Sequence, residues 1–174
     1  MTNEVFIVSG ARTPIGSFMG NLSSFSAPEL AAAAIQKTLD GSSIEADQID
    51  EVLIGNVVSA GLKQAPARQA MRLAGIPDQC GATTINKVCG SGMKATMLAF
   101  DLIRSGSADT VLSGGMESMS NAPYLLANVR SGLRMGHSDT RDALFTDGLE
   151  DAETGDSMGS VSYTHLTLPT KRIV

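Results

Sequence analysis

The sequence is poor in the residues that mark several common classes of protein. It has no tryptophan, two tyrosines and five phenylalanines, and its 174 residues include only two cysteines, Cys80 and Cys89. Two cysteines make no disulfide framework, which favours a reduced, cytoplasmic protein with free thiols. No apolar stretch approaches the ~18 residues of a membrane span. The N-terminus lacks the basic and then apolar pattern of a signal peptide.

Charge and composition narrow the classes further. The net charge is −5 and no block of Lys or Arg occurs, which argues against nucleic-acid binding. A hydrophobic content of 43% excludes a disordered chain. Glycine is the residue in excess, at 18 of 174 against a usual ~7%. So much glycine indicates turns and close backbone approaches.

Short apolar runs alternate with helical patterns over the first 115 residues. The predicted strands are Val5–Ser9, Glu51–Val58, Thr83–Val88 and Asp109–Ser113. The predicted helices begin at the capping box of Ser26 and Glu29, at Pro66 and just after Cys89; the last has Met93, Met97, Phe100 and Ile103 on its apolar face. Alternating strands and helices predict an α/β domain with a mostly parallel sheet. Residues 116–159 are loop-like, and 160–174 show no period.

The strongest chemical feature is Cys89, where the third strand meets a helix N-terminus in the run Val88-Cys89-Gly90-Ser91-Gly92. The helix dipole favours an anion there, so it promotes thiolate over thiol. The flanking glycines leave room for an acyl group and its carrier, and the Cys89 backbone N–H can stabilise an oxyanion. Cys89 is therefore a candidate nucleophile. The alternative is a packed cysteine serving as a small apolar residue.

Other candidates are weaker. Residues 90–95 fit the dinucleotide fingerprint G-x-G-x-x-A, but the acidic partner it needs, Asp109, lies at the wrong end of its strand. Cys80 has no following helix and is expected to be a packing or exposed thiol. His137 and His165 lie in irregular segments without metal-ligand spacing, so no metal site is expected. Structural hydrogen bonding is expected for Arg68.

Several motifs occur together in a fixed order. They are Ala11–Gly16, Gly55–Val58, Pro66–Ala70, Asn86–Ala95 and Gly114–Ser120. With these motifs the chain resembles the N-terminal half of the thiolases, and in particular their acetyl-CoA C-acetyltransferase branch. The resemblance runs from about residue 3 to Gly159, and it removes the dinucleotide reading.

The resemblance implies a fold and a reaction. The family fold is a five-layered αβαβα arrangement of two similar halves with an inserted loop domain. Residues 1–115 correspond to most of the first half and contain the nucleophile, 116–159 to the start of the loop domain, and 160–174 to a tail that does not match. The implied fold here is an incomplete thiolase fold. The nucleophile falls on Cys89, which takes acetyl from acetyl-CoA and passes it to a second acetyl-CoA, giving acetoacetyl-CoA reversibly.

The resemblance also implies partners. Coenzyme A esters are substrates, with no resident cofactor, and the full-length parent is a dimer or tetramer. Met158 matches a pocket-lining methionine, while Ser157 stands where acetoacetyl-CoA-handling members often have histidine. The family's catalytic histidine and second cysteine lie in the C-terminal half and match neither His137, His165 nor Cys80.

Three interpretations therefore remain. The chain is a thiolase fragment with negligible turnover alone, a fragment of a longer-chain 3-ketoacyl-CoA thiolase, or a non-catalytic assembly module. The segment 160–174 replaces an expected Ala- and Glu-rich helix, which indicates a truncated frame with a foreign tail.

Overall fold

The computed structural model describes residues 4–160. Its centre is a parallel three-stranded sheet of β1 (Glu51–Gly55), β2 (Gly81–Ile85) and β3 (Val111–Gly115), in the order β2-β1-β3. Val52 of the central strand pairs with Ala82 on one side and Leu112 on the other. The alternation of strands and helices predicted this parallel sheet, because parallel strands need a crossover between them.

Helices cover both faces of the sheet. They are α1 (Ala27–Asp40), α2 (Pro66–Leu73) and α3 (Ser91–Ser105). Val52 and Ile54 of β1 belong to one buried cluster with residues of α1 and α2, whereas Leu53 belongs to another with Ala95 and Ala99 of α3. Alternate side chains of a strand point to opposite faces, so β1 contributes to the buried cluster on each face of an α/β/α sandwich.

The first helix begins as the sequence predicted. The Glu29 carboxylate accepts hydrogen bonds from the Ser26 backbone N–H and from Ser26 Oγ, both at 2.7 Å. These bonds lower the pKa of Glu29. Pro28 lies in the first turn, where a missing N–H costs no helical hydrogen bond. Gly41 is the C-cap of the helix, so the sequence predicted both its start and its end.

The predicted strand at Val5–Ser9 is wrong. This segment is extended but pairs with no strand in the described part of the chain, and Phe6, Ile7 and Val8 are 73%, 89% and 66% exposed. It lines an apolar cavity of about 470 Å³, whose other walls include Val111–Ser113 of β3. An apolar, β-rich run is typical of a strand, but a strand also needs a hydrogen-bonding neighbour, and none of residues 4–160 pairs with this segment as one.

Two further expectations are corrected. The predicted third strand does not reach Cys89: β2 ends at Ile85, and residues 86–90 form a turn before α3. In α3 the predicted apolar face is turned away from the sheet, since Met93 and Met97 are 73% and 51% exposed. The buried residues of α3 are small, namely Ser91, Ala95 and Ala99, and they let the helix backbone approach the sheet closely.

The chain divides into two compact units, Met1–Asn121 and Ala122–Val174. The described part of the second contains the antiparallel pair β4 (Tyr124–Leu126) and β5 (Thr140–Asp142), followed by a π-helical turn at Phe145–Leu149. The sequence placed the start of the loop domain at residue 116. No helix among residues 4–160 has the length and apolarity to span a membrane.

Candidate active site around Cys89

Cys89 lies with an exposed thiol on the turn between β2 and α3. The preceding residue, Val88, has φ +47°, a left-handed conformation that is rare for a β-branched side chain. Gly90 then forms the N-cap of α3. The thiol is therefore presented at the N-terminus of a 15-residue helix, as the sequence predicted.

The Ser91 side chain holds the turn at residues 86–90 by hydrogen bonds to its backbone. Its side chain is buried, at 4% exposure, and its Oγ donates to the Val88 carbonyl at 2.6 Å and accepts from the Lys87 N–H at 2.8 Å. Asn86 Oδ1 accepts the Val88 N–H at 2.9 Å. The backbone of Lys87 and Val88, just before Cys89, is thus held by the side chains of Asn86 and Ser91. Such bonding compensates the cost of the strained Val88 conformation.

Three glycines bring the backbones of β1, β3 and α3 together behind Cys89. A Cβ atom at Gly55 would lie 2.5 Å from Gly92 N and 2.5 Å from the Ser91 carbonyl carbon. A Cβ atom at Gly115 would lie 3.4 Å from Gly92 Cα. These distances explain part of the glycine excess, because a larger residue at Gly55 would push α3 away from the sheet.

Asn56 and Glu117 form a polar network at the carboxyl ends of β1 and β3. Asn56 Nδ2 donates to Glu117 Oε1 at 2.7 Å and to the Met116 carbonyl at 3.3 Å. The carboxylate also accepts the N–H groups of Val57, at 3.0 Å, and Val58, at 3.2 Å. Burial raises the pKa of Glu117, although these three donors act in the opposite direction. The network joins the two strand ends that lie beside Cys89 in the pocket.

The pocket at Cys89 has a volume of about 330 Å³. Its walls are the ends of β1 and β3 with the turn before α3, and they consist of residues 55–57, 88, 89, 91, 92 and 115–117. It combines an exposed thiol, glycine backbone and one buried amide. Such a pocket can accept an electrophilic carbonyl group at the thiol.

The structure places the other sulfur and nitrogen candidates elsewhere. Cys80 is 3% exposed, and its Sγ donates to the Gly81 carbonyl at 3.3 Å. Burial raises the pKa of the Cys80 thiol, and the carboxylates of Glu51 and Asp50 raise it further. His137 is exposed in the second unit, and His165 lies outside the described residues. Between residues 4 and 160 no cluster of His, Cys, Asp and Glu could hold a metal ion.

The structure tests the predicted role of Arg68 but not that of Met158. Met158 lies in the second unit and is 41% exposed, so its assignment to the substrate pocket stays a prediction. Arg68 donates to the carbonyls of Cys80 and Asp78 and forms an ion pair with the Asp78 carboxylate at 3.4 Å. Its predicted structural role is confirmed.

Sequence reasoning assigned no role to Asn56 or Glu117. Both stand within motifs that carried the family resemblance, but the two residues are 61 positions apart. One signal could have found them: each polar residue closely follows the apolar part of a predicted parallel strand. Carboxyl ends of parallel strands meet at one edge of the sheet, where ligand sites form.

Comparison with known proteins places the chain in a family. A family model described as the N-terminal domain of thiolase matches residues 5–167. The chain belongs to the thiolase family, and its fold is the N-terminal part of the thiolase fold. It is 38% identical to a structurally similar protein, described as Acat5 thiolase from Ascaris suum in complex with coenzyme A; the TM-score is 0.86, with 90% of this chain and 41% of that chain covered.

Curated relatives are similar over the same region. The chain is 48% identical over 156 residues to an acetyl-CoA acetyltransferase of Pseudomonas aeruginosa, covering 90% of this chain and 40% of the relative. It is 50% identical over 157 residues to acetyl-CoA acetyltransferase 2 of Arabidopsis thaliana, covering 90% and 39%. The chain thus spans about 40% of the length of these relatives.

Proposed function

We propose that this chain carries the acyl-accepting step of a thiolase-type acyltransferase, with Cys89 as nucleophile. The observation that carries the proposal is the exposed thiol on a braced turn at the N-terminus of α3, in a pocket of its own. The names of the relatives, acetyl-CoA acetyltransferases, support an acetyl thioester as the substrate.

The proposed chemistry has two steps. Cys89 Sγ attacks the acetyl-CoA carbonyl, the carbon–sulfur bond to CoA breaks, and CoA leaves as a thiol with the proton that Cys89 lost. The Cys89 N–H stabilises the oxyanion formed on the way. In the complete reaction, the α-carbon of a second acetyl-CoA loses a proton and attacks the acetyl-cysteine. This step yields acetoacetyl-CoA and returns the proton to Cys89. Coenzyme A is a substrate throughout.

The resemblance to the thiolases sets a limit on the chain alone. It implies that the histidine that activates the nucleophile and the second cysteine, which shuttles a proton, both lie in the family's C-terminal half. We therefore expect acetylation of Cys89 with negligible turnover. A parent enzyme of this kind would act in fatty acid metabolism.

The test is acetylation of the chain by acetyl-CoA, followed by mass spectrometry of the intact protein and its peptides. We expect a gain of about 42 Da on Cys89, as a covalent acyl intermediate requires. Cys80→Ala is the matched control and should keep the adduct, while Cys89→Ala should lose it. An adduct that persists in Cys89→Ala would contradict the assignment.

A longer-chain 3-ketoacyl-CoA thiolase parent differs from this proposal only in the acyl group. The two are distinguished by the rates at which acetyl-CoA and longer acyl-CoA esters acylate Cys89. We expect acetyl-CoA to be the faster donor. A faster reaction with a long-chain ester would favour the longer-chain parent.

A second candidate function is assembly. The exposed Phe6, Ile7 and Val8 line the 470 Å³ apolar cavity next to β3, and a surface of this kind is typical of a contact with further protein. We infer that the chain pairs through this cavity with the C-terminal half of a thiolase. The expected result is a complex of the two on size-exclusion chromatography with light scattering.

A matched pair of variants tests the assembly surface. Ile7→Lys should abolish the complex, because Ile7 lines the cavity. Ile15→Lys should leave it intact, since Ile15 is as exposed, at 87% against 89%, but does not line the cavity. Equal effects of the two substitutions would refute the assignment of this surface.

A further inference from the structure

Asn56, one of the residues that line the Cys89 pocket, has an unsatisfied hydrogen-bond acceptor in its side chain. Its side chain is 2% exposed, and its Oδ1 accepts no hydrogen bond from any residue between 4 and 160. A buried acceptor without a donor costs about 1–3 kcal/mol, so the isolated arrangement is unfavourable. An unsatisfied buried acceptor requires an explanation, and a bound group that brings an N–H or O–H donor is one.

The orientation of the Asn56 amide is fixed by its neighbours. Nδ2 donates to the Glu117 carboxylate and to the Met116 carbonyl, which are both acceptors. A reversed amide would place Oδ1 against these two oxygens, and that arrangement is repulsive. Glu117 is itself held by the Val57 and Val58 N–H groups. The network therefore holds Oδ1 as an acceptor in a set direction.

The proposed substrate brings a donor of the right kind to this pocket. In an acyl-CoA thioester, two methylene groups separate the sulfur from an amide nitrogen, which carries one N–H. A thioester whose carbonyl is within reach of Cys89 Sγ therefore places this N–H only a few bonds from the reacting carbon. Asn56 and Cys89 line the same pocket of about 330 Å³, so a thioester bound at Cys89 enters the pocket that Asn56 also lines.

We propose that Asn56 Oδ1 accepts a hydrogen bond from the first amide N–H of the thioester's carrier arm, and that Glu117 holds Asn56 in place for it. Asn56 is thus a substrate-binding residue and Glu117 a positioning residue. The inference rests on the proposed function, because it requires a thioester to bind at Cys89.

The experiment compares two small thioesters as acetyl donors to Cys89. One is S-acetyl-N-acetylcysteamine, which has the amide N–H; the other is the analogue in which an ester oxygen replaces that N–H. The rate of Cys89 acetylation is measured for each by mass spectrometry. The ratio of the two rates is divided by the same ratio for glutathione, which corrects for intrinsic reactivity.

For the unaltered chain we expect a corrected ratio of about tenfold in favour of the amide, as one hydrogen bond to a buried acceptor supports. In Asn56→Leu the ratio should fall to about one. Asn86→Leu is the control: it disturbs the turn that carries Cys89 and should slow both donors alike, leaving the ratio unchanged. A structural role of Asn56 would likewise slow both donors without changing the ratio.

The outcomes separate the two proposals. Acetylation of Cys89 with a corrected ratio near one in the unaltered chain would overturn the role of Asn56 and leave the proposed function intact. An Asn56→Leu ratio equal to that of the unaltered chain would also overturn it. No acetylation by either donor would refute the proposed function and this inference with it. The corrected ratio of the unaltered chain alone can overturn the role of Asn56, so the test does not depend on whether the variant folds.

Discussion

The contact of Gly55 with α3 gives the sharpest prediction. In Gly55→Ala the new Cβ lies 2.5 Å from Gly92 N and from the Ser91 carbonyl carbon, and the gap must grow by about 0.9 Å to reach the 3.4 Å of ordinary contact. Both atoms are backbone, so no side-chain rotation relieves the collision. Overpacking of this kind costs about 1–3 kcal/mol, and we expect about 2–3.

Gly114→Ala is the matched control for this substitution. It lies in β3, and its Cβ would meet only Ile54 Cδ1 at 3.9 Å, an ordinary contact. Both substitutions reduce the entropy of the unfolded chain equally, so that effect cancels in the comparison. We expect Gly114→Ala to change stability by less than about 0.5 kcal/mol.

The assays are urea unfolding and acetylation of Cys89. With a urea dependence of about 1–3 kcal/mol per molar, Gly55→Ala should lower the midpoint by about 0.7–3 M. If α3 moves by most of the required 0.9 Å, Cys89 moves with it. A displacement of that size should slow acetylation of Cys89 by about 100-fold. Equal midpoints and equal rates for Gly55→Ala and Gly114→Ala would refute the reasoning.

Three further predictions follow from single side chains. Iodoacetamide should modify Cys89 alone in the folded chain, because Cys80 is buried; mass spectrometry showing both modified at equal rates would contradict the burial. The backbone N–H groups of Thr110 and Asp109 lower the pKa of Asp50, so its contribution to stability is present above the unfolded value of about 3.9 and lost as the pH falls through the lower folded value. The stability difference between wild type and Asp50→Asn, measured by urea unfolding, should therefore shrink in acid, and a constant difference would contradict the assignment. Ser91→Ala should cost about 1–2 kcal/mol in the same assay, because the buried Oγ makes two hydrogen bonds; no loss would contradict its bracing role.

Local patterns predicted the elements whose partners lie within the described chain. The Ser26 capping box and Pro28 predicted the start of α1, and the apolar run at 51–58 predicted a strand there, of which β1 forms the first five residues. The same rules failed at Val5–Ser9, where the apolar pattern is present but no strand among residues 4–160 pairs with it. A sequence pattern reports the preference of a segment and not the presence of the neighbour that satisfies it.

The candidate site was predicted in part for a similar reason. Cys89 and its glycines are close in sequence, so the turn and the helix N-terminus could be read locally. Asn56 and Glu117 come together only when β1 and β3 pair, and the hydrogen bond between them links residues 61 positions apart. The sequence also failed to predict that the apolar face of α3 points away from the sheet. Hydrophobicity alone does not distinguish an apolar helix face that packs on this sheet from one on the opposite side of the helix.

The two buried clusters differ in size, and this has a consequence for motion. Among residues 4–160, the apolar cluster beneath α1 and α2 contains residues of several elements, including the fully buried Met71, whereas the apolar cluster beneath α3 has three buried members, Leu53, Ala95 and Ala99. Local opening has the lowest free energy where least apolar surface is buried. Amide hydrogens of α3 should therefore exchange with solvent before those of α1. Cys89 directly precedes the helix that opens first, so any protein that covers α3 also restricts the motion of its thiol.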